Sequence, residues 1–185
     1  GPLMAGGWGD VVYRRPVDAK LTSAPIERLT AMDLIVEGRP GDANALLTVG
    51  GLSFPAKVGK TGLVPAGAQK QEGDSATPVG RFGLRTAYWR PDRGPRPATS
   101  LPTGPIRFDD LWSDDPSHVL YNRPVAAPFS ASHEKMWRAD RCYDVCIVLD
   151  YNLTRPAPGQ GSAIFFHLTK EDDVPGPTEG CVAVA

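Results

Sequence analysis

The C-terminal segment, residues 162–185, reads SAIFFHLTKEDDVPGPTEGCVAVA, and our interpretation of the fold starts from it. An apolar run leads to His167, a polar loop with prolines follows, and Gly180 and Cys181 open a second apolar run. Short apolar runs bounded by turn residues are typical of β-strands. On adjacent strands joined by this loop, His167 and Cys181 can meet. The segment therefore predicts two neighbouring strands that bring an imidazole and a thiol together.

Further β-rich runs precede this segment and are separated by Gly-Asp and Gly-Gly turn signals. Gly and Pro contribute 20 and 19 of the 185 residues, which favours a fold with many turns. We expect about eight to ten short strands in a mainly β fold, a β-sandwich or barrel with a few short helices and long Pro/Gly-rich loops. The predicted strands are 32–38, 45–51 and 52–59 as an antiparallel meander, then 81–89, 118–124, 142–151 as the longest, and the runs at 162–168 and 181–185.

Two segments predict the short helices. The stretch SAPIERLTAM, residues 23–32, has Ser23 near the position of an N-cap. The stretch SASHEKMWRAD, residues 130–140, is consistent with one or two helical turns capped by one of its serines. By contrast, residues 91–105 are dense in proline, which fixes φ and removes ladder donors, so they are predicted to form a surface loop.

The chain is interpreted as a short N-terminal extension and one larger domain. Gly1-Pro2-Leu3 resembles the remnant of a cleaved affinity tag, so residues 1–31 are assigned to this remnant plus an extension. The β-rich pattern begins at Met32, and residues 32–185 are predicted to form the domain. No basic-then-apolar export signal is visible in the N-terminal stretch.

Composition excludes several classes of function. The 20 basic and 21 acidic residues give a net charge of −1, which provides no basic groove for a nucleic acid. No apolar run approaches the roughly 20 residues that a membrane-spanning helix needs. The apolar share of 41% is enough for a hydrophobic core, and we expect a monomeric globular domain.

Two of the three cysteines, Cys142 and Cys146, fall in one predicted strand. Residues four apart on a strand are separated by roughly 13 Å, which is too far for a disulfide. We interpret both as core thiols, with a zinc-binding pair as the alternative. The sequence predicts neither a metal nor another cofactor, and Cys181 remains as the odd cysteine.

Cys181 and His167 are the candidate catalytic pair. A thiol becomes a strong nucleophile when it ionises, and a nearby imidazole can take its proton. Gly180 allows a substrate to approach the backbone closely, and the amides of Gly180 and Cys181 could form an oxyanion hole. The alternative is a strand histidine beside a buried, unreactive cysteine. From these residues alone, both interpretations remain open.

Two motifs resemble those of the L,D-transpeptidase catalytic domain family, and they cover most of the chain from Met32 onward. The first is His167, a variable loop, and then Thr178, Gly180, Cys181 and an apolar residue. The second is KQEGDSATPVGRFGL, residues 70–84, which is similar to the family's Gly-Asp…Thr-Pro-x-Gly-x-Phe segment. The chain departs from the usual pattern because Glu179 replaces a histidine, Ala183 replaces Asn or Arg, and the loop is short. These departures resemble a shorter subgroup of the family.

The resemblance implies a peptidoglycan transpeptidase that acts in the periplasm on stem peptides of the meso-diaminopimelate type. By this resemblance, Cys181 attacks a stem-peptide carbonyl next to an L-centre, and His167 acts as the general base. It also implies that the backbone carbonyl of Leu168 orients the imidazole, and that carbapenems acylate the cysteine.

Six further residues are candidates for substrate binding, and each has a structural alternative. We expect Arg138 to pair with a diaminopimelate carboxylate and Glu179 to receive the ammonium group of an incoming amine. The alternatives are a surface helix with one buried aromatic face and a solvated loop acid. The full set of candidates is Thr178, Glu179, His133, Trp137, Arg138 and Tyr143.

Other functions remain compatible with the sequence. An L,D-carboxypeptidase or a D-amino-acid exchange enzyme would use the same acyl-enzyme with another acceptor. A non-catalytic wall-binding module would keep the fold, and a redox or zinc protein would use the cysteines differently. The donor, the acceptor and the cross-link type are not encoded in any motif that we can identify.

Overall fold

The computed structural model describes residues 10–14, 33–170 and 176–185, in which every regular element is a β-strand. The predicted helix at residues 23–32 lies outside the described residues. In chain order the strands are β1 (Asp10–Arg14), β2 (Leu34–Arg39), β3 (Asp42–Val49), β4 (Leu52–Lys57), β5 (Gly80–Trp89), β6 (Thr103–Pro105), β7 (Asp110–Ser113), β8 (Arg123–Ala126), β9 (His133–Lys135), β10 (Val145–Leu149), β11 (Phe165–Leu168) and β12 (Val182–Val184).

The described strands form one large and one small sheet. The nine-stranded sheet has the order β1-β2-β3-β4-β12-β11-β10-β5-β6, and β1 also pairs with β5. Thus β1, which comes from the predicted N-terminal extension, is hydrogen-bonded into the sheet on both sides. The three-stranded sheet has the order β8-β7-β9. The prediction of a mainly β fold is confirmed.

The antiparallel meander predicted near the N-terminus is confirmed as β2, β3 and β4. Successive side chains of a strand point to opposite faces, and β2 alternates accordingly between buried and half-buried residues. Leu34 and Val36 are its buried apolar side chains, and they pack with Leu47 of β3 in the first of two core clusters. The alternation of apolar residues therefore directs one face of these strands toward the core.

The helix predicted for residues 130–140 is wrong. This stretch instead contributes β9, which pairs with β7 in the small sheet, with Trp112 opposite Glu134. Ser132, a predicted cap, donates from Oγ to the carboxylate of Asp114 at 2.6 Å. Pairing between strands outweighs the local helical preference, because one or two helical turns gain little without tertiary support.

Two strand predictions also need correction. The longest strand is β5, with ten residues, whereas the predicted 142–151 strand contains a five-residue β10. A turn precedes β10, with the amide of Asp144 bonded to the carbonyl of Arg141 at 3.0 Å. The predicted strand at 118–124 begins only at Arg123, because a turn bonds Tyr121 to His118. The proline-dense loop is irregular apart from the short β6, which pairs with β5.

The second core cluster lies between the large sheet and the small one. It contains Trp112 of β7, Met136 just after β9, Cys146 of β10, Phe165 of β11, and Cys181 just before β12. Phe165 is fully buried, and burial of such a side chain contributes about 1.5–3 kcal/mol. This packing fixes the strand ends that carry the candidate catalytic residues.

Within the described residues, we find no helix long and apolar enough to cross a membrane.

Candidate active site

The candidate base lies on β11, and the candidate nucleophile immediately precedes the neighbouring parallel strand β12. In the register of β11 and β12, Phe166 is opposite Val182 and His167 is opposite Ala183. Cys181 immediately precedes Val182 and packs in the same core cluster as Phe165. Alternation along the strands therefore directs His167 and Cys181 to the same face of the sheet.

The backbone fixes the tautomer of His167. Its Nδ1 lies 2.7 Å from the carbonyl oxygen of Leu168. A carbonyl can only accept a hydrogen bond, so Nδ1 carries the proton and Nε2 has the free lone pair. The side chain is buried, and burial lowers the pKa of His167 to about 4. His167 is therefore a neutral base at physiological pH.

The thiol of Cys181 is also neutral in this structure. Its Sγ donates to the carbonyl oxygen of Ala163 at 3.1 Å and accepts from the amide of Phe165 at 3.3 Å. Burial, with a smaller contribution from the charge of Glu134, raises the pKa of Cys181 to about 12. Among the described residues, no hydrogen bond joins this sulfur to His167. The resting pair is thus a thiol and an imidazole.

A hydrogen-bond network holds the carbonyl that faces the sulfur. Ala163 has a φ of +53°, a left-handed conformation that is unfavourable for a residue with a Cβ. Its amide donates to Oδ1 of Asn122 at 3.0 Å, and the indole of Trp112 donates to the same oxygen at 2.8 Å. Asn122 in turn donates to the carbonyl of Asn152 at 2.6 Å. This network stabilises the turn that precedes β11, and no local sequence pattern indicated it.

Threonine hydroxyls anchor the loop that carries Cys181. Thr178 donates from Oγ1 to the carbonyl of Cys181 at 2.6 Å and accepts from the amide of Gly180 at 3.1 Å. Thr77, in the second sequence motif, donates to the carbonyl of Gly180 at 2.8 Å and accepts from the amide of Gly59 at 2.9 Å. Thr178 thus bonds to the loop itself. The Gly180 amide, predicted for an oxyanion hole, is bonded to Thr178 in this structure.

The position of Gly180 requires glycine. Its φ is +145°, and a Cβ built there would lie 3.0 Å from the carbonyl oxygen of Ala76. Both the backbone conformation and the close approach disfavour a side chain. The loop therefore reaches Cys181 by a path that only glycine follows without strain.

Glu179 points away from the sulfur, although it is close to Cys181 in sequence. Its carboxylate forms an ion pair with Lys60 and accepts from Oγ of Ser75 at 2.7 Å. These partners lower the pKa of Glu179. Its side chain is 70% exposed, so it lies on the outer surface of the loop.

Tyr143 lies between the candidate base and the small sheet. Its ring centre is 5.2 Å from that of His167 and 5.7 Å from that of Phe165, with both pairs edge to face. Its hydroxyl donates to the carboxylate of Glu134 on β9. Sequence reasoning selected Tyr143 but not Glu134, because no motif distinguished this acid.

The other three candidates lie at different distances from the pair. Arg138 is close to it, since its guanidinium lies 5.2 Å from the ring centre of Tyr143 and donates twice to Asp140, at 2.8 and 2.7 Å. The ring of Trp137 is covered by the guanidinium of Arg90 at 3.5 Å. His133 packs against Phe129 at 6.0 Å and is bonded through Nδ1 to the carbonyl of Ala131 at 2.8 Å. Neither Trp137 nor His133 contacts His167 or Cys181 through a bond or ring contact among the described residues.

Cys142 and Cys146 are buried, unpaired thiols, as predicted. Cys146 is directly opposite His167 in the register of β10 and β11. In the described part of the chain, no group of three or more His, Cys, Asp and Glu side chains has the arrangement of a metal site.

Comparison with known families gives one match. The model of the YkuD family, the L,D-transpeptidase catalytic domain, matches residues 45–185. This range includes both sequence motifs, His167 and Cys181. No curated protein and no solved structure matches the chain.

Proposed function

The chain belongs to the L,D-transpeptidase catalytic domain family, and on this basis we propose that it is a peptidoglycan L,D-transpeptidase that uses Cys181 as its nucleophile. The family is one of cysteine-dependent transpeptidases that act on peptidoglycan outside the cytoplasm. The proposed substrates are stem peptides of the meso-diaminopimelate type, and the proposed location is the periplasm.

The observation that supports this proposal most strongly is a neutral, oriented imidazole on the same face of the sheet as the cysteine that follows the family's glycine. His167 is fixed through Nδ1 on Leu168, so its Nε2 can act as a base. Cys181 and His167 share one face of the sheet through the register of β11 and β12. These are the elements that thiol acyl transfer requires.

In the proposed first half-reaction, the thiol leaves its bond to Ala163 and gives its proton to Nε2 of His167 as the sulfur attacks the substrate carbonyl. The carbon–nitrogen bond then breaks, and His167 passes the proton to the leaving amine. A thioester with Cys181 remains. In the second half-reaction an amine attacks this thioester, and the sulfur regains its proton through His167.

The resting pKa values support proton transfer that accompanies attack rather than a preformed ion pair. The pKa of the thiol is about 12 and that of the imidazole is about 4, so separate charges are strongly unfavourable before the substrate binds. The oxyanion is proposed to bind the amides of Gly180 and Cys181. This role requires the amide of Gly180 to exchange its bond to Thr178 for one to the substrate.

Defined muropeptides test the proposal and separate it from the related activities. We expect the wild-type protein to join two stem peptides, with a product mass equal to the donor and acceptor less the released amine. Release of the terminal residue to water alone would identify a carboxypeptidase, and incorporation of a free D-amino acid would identify an exchange enzyme. If no product forms with any acceptor, including water, the enzyme proposal is wrong and a wall-binding module is favoured.

A further inference from the structure

A carboxylate with no cationic partner lies in the wall of the candidate site. Glu134 is on β9 and is partly buried. It accepts a hydrogen bond from the hydroxyl of Tyr143. Within the described residues, Glu134 forms no ion pair, since the nearby Arg138 is bonded twice to Asp140. A partly buried carboxylate without an ion-pair partner costs stability, so this position favours a cationic ligand.

The charge of Glu134 acts on the candidate nucleophile and on the tyrosine that packs against the candidate base. It raises the pKa of Cys181 and also that of Tyr143, for which burial is the larger cause in each case. Tyr143 connects the carboxylate to the ring of His167, with the two ring centres 5.2 Å apart. A cation bound to Glu134 would therefore lie on the side of the site where Tyr143 packs against His167.

The proton balance of the proposed acyl transfer favours a further proton acceptor near the pair. An incoming amine arrives as an ammonium ion and must lose two protons to become an amide. One proton returns to the sulfur of Cys181 through Nε2 of His167. Nδ1 of His167 already carries a proton and donates it to Leu168, so Nε2 is the only free acceptor on the imidazole. Burial lowers the pKa of His167 to about 4, so the imidazole does not retain the second proton and a more basic acceptor is favoured.

We propose that Glu134 binds the ammonium group of the amine substrate and takes this second proton, with Tyr143 holding the carboxylate in position. The inference rests on the proposed function. The ammonium gives one proton to the Glu134 carboxylate and becomes an amine. The amine nitrogen then attacks the thioester carbonyl, the carbon–sulfur bond breaks, and the remaining excess proton reaches the sulfur through His167. Glu134 afterwards releases its proton to water.

The surroundings of Glu134 suit both its ionised and its protonated form at neutral pH. Burial is the main cause that raises its pKa to about 7, and the charges of Asp114 and Glu72 act in the same direction. The bond from Tyr143 and the charge of Arg138 act in the opposite direction. In the first half-reaction, the protonated form can supply the extra proton that the leaving amine needs to become an ammonium ion.

A pair of thiol reagents tests the cation site without depending on transpeptidation. Aminoethyl methanethiosulfonate carries a primary ammonium, and propyl methanethiosulfonate is a neutral reagent of the same length. Each forms a disulfide with Cys181 and releases methanesulfinate and a proton. Because both react with the same buried thiolate, the ratio of their rates cancels the effect of burial. Mass analysis of the peptide that contains Cys181 gives each rate.

We expect the wild-type protein at pH 8 to favour the ammonium reagent, and Glu134→Gln to lower that rate ratio about tenfold. The isosteric amide keeps an oxygen that can accept from Tyr143. Glu179→Gln is the matched control, since this acid points away from the sulfur, and its ratio should equal that of the wild type. Glu134→Asp should recover part of the preference.

The pH dependence in the wild-type protein provides a second test that needs no variant. The preference for the ammonium reagent should fall as the pH drops below about 7, when Glu134 becomes protonated. A rate ratio that is the same in wild type and Glu134→Gln, or that does not change with pH, would overturn the ammonium site.

The proton-transfer role is tested with defined donors. In Glu134→Gln we expect acylation by a carbapenem to stay within about threefold, while the ratio of amine transfer to hydrolysis falls about tenfold. Equal losses in acylation, transfer and hydrolysis would overturn this role and indicate a structural effect. If the wild-type protein forms no amide product, the proposed function fails together with the proton transfer, whereas the reagent ratio still decides the ammonium site.

Discussion

The loop at residues 176–181 and strand β9 each contribute a glutamate near Cys181, and the two glutamates have opposite surroundings. Glu179 is two positions before the nucleophile, yet it faces solvent and forms an ion pair with Lys60. Glu134 is distant in sequence, yet its charge adds to the larger effect of burial in raising the pKa of the Cys181 thiol, and it forms no ion pair among the described residues. The loop therefore positions the sulfur through neutral hydrogen bonds. The negative charge that acts on the sulfur comes from Glu134 on β9.

The outward direction of Glu179 explains why this substitution at a family position need not impair the site. The family usually carries a histidine where this chain has Glu179. A carboxylate beside the sulfur would disfavour the thiolate, but this side chain lies on the outer surface of the loop. Replacement of the histidine thus leaves the immediate surroundings of the thiol free of the Glu179 charge.

The largest expected effect concerns the nucleophile itself. Cys181→Ala should abolish formation of cross-linked product from purified peptidoglycan, because the proposed thioester forms on this sulfur. His167→Ala should cause a comparable loss, since the two side chains act as a unit. Chromatography of digested peptidoglycan measures both, and circular dichroism checks the fold. Wild-type product levels in either variant would contradict the assignment.

The next effect tests whether neutral hydrogen bonds hold the loop. Thr77→Val removes the hydroxyl that bonds to the carbonyl of Gly180 and the amide of Gly59, both in buried surroundings. We expect a loss of about 1–3 kcal/mol in the free energy of unfolding, and reduced activity because Cys181 moves. Urea denaturation provides the measurement.

Thr61→Val is the matched control for this experiment. The Thr61 hydroxyl donates to the carbonyl of Asp74 at 3.0 Å in an exposed position, so its removal should cost less than about 0.5 kcal/mol. If the two variants lose similar stability, Thr77 does not have the anchoring role that we assign to it.

The pH dependence of stability tests the buried state of His167. Its pKa is about 4 in the folded protein and about 6.5 when unfolded, so the unfolded chain binds a proton first as the pH falls. This group's contribution is complete above pH 6.5, and up to about 3 kcal/mol of it is lost as the pH falls to 4. His167→Leu should lack this dependence.

Glu134 acts in the opposite direction over part of the same range. Its pKa is raised in the folded state, so protonation between about pH 7 and pH 4.5 favours folding. The contribution of His167 is therefore the difference between wild type and His167→Leu, measured by urea denaturation at each pH. An identical pH dependence in both proteins would contradict a buried neutral imidazole.

The smallest effect is expected at the outward-facing acid. Glu179→Gln removes an exposed ion pair with Lys60, and such pairs contribute about 0–1 kcal/mol. Activity should remain within about twofold of the wild type, in contrast to Glu134→Gln. A large loss of amine transfer in Glu179→Gln would reverse the roles that we assign to the two glutamates.

Much of the fold could be predicted from the sequence, because local patterns determine it. The Gly-Asp and Gly-Gly turns predict the meander of β2, β3 and β4, which the structure confirms. The apolar runs around His167 and Cys181 predict the neighbouring strands β11 and β12. The predicted helix at residues 130–140 is wrong, because β9 is stabilised by pairing with β7, which lies far from it in sequence.

The candidate site could likewise be predicted from the sequence only in part. His167 and Cys181 were identified from their motif, and their catalytic roles stay predictions. The contacts of Glu134, Thr77 and Asn122 depend on segments that are distant in sequence, so no local pattern could reveal them. Even the outward direction of Glu179 depends on a tertiary partner, Lys60.

Intact-mass spectrometry of the protein with a carbapenem tests the central claim most directly. A slow reaction with ordinary alkylating agents at neutral pH follows from the raised thiol pKa and does not by itself indicate an inactive protein. An acylating substrate analogue instead reports the proton transfer to His167. We predict one covalent adduct that maps to the peptide containing Cys181 and is absent in Cys181→Ala. An adduct on another residue, or no adduct while cross-linking proceeds, would contradict the account.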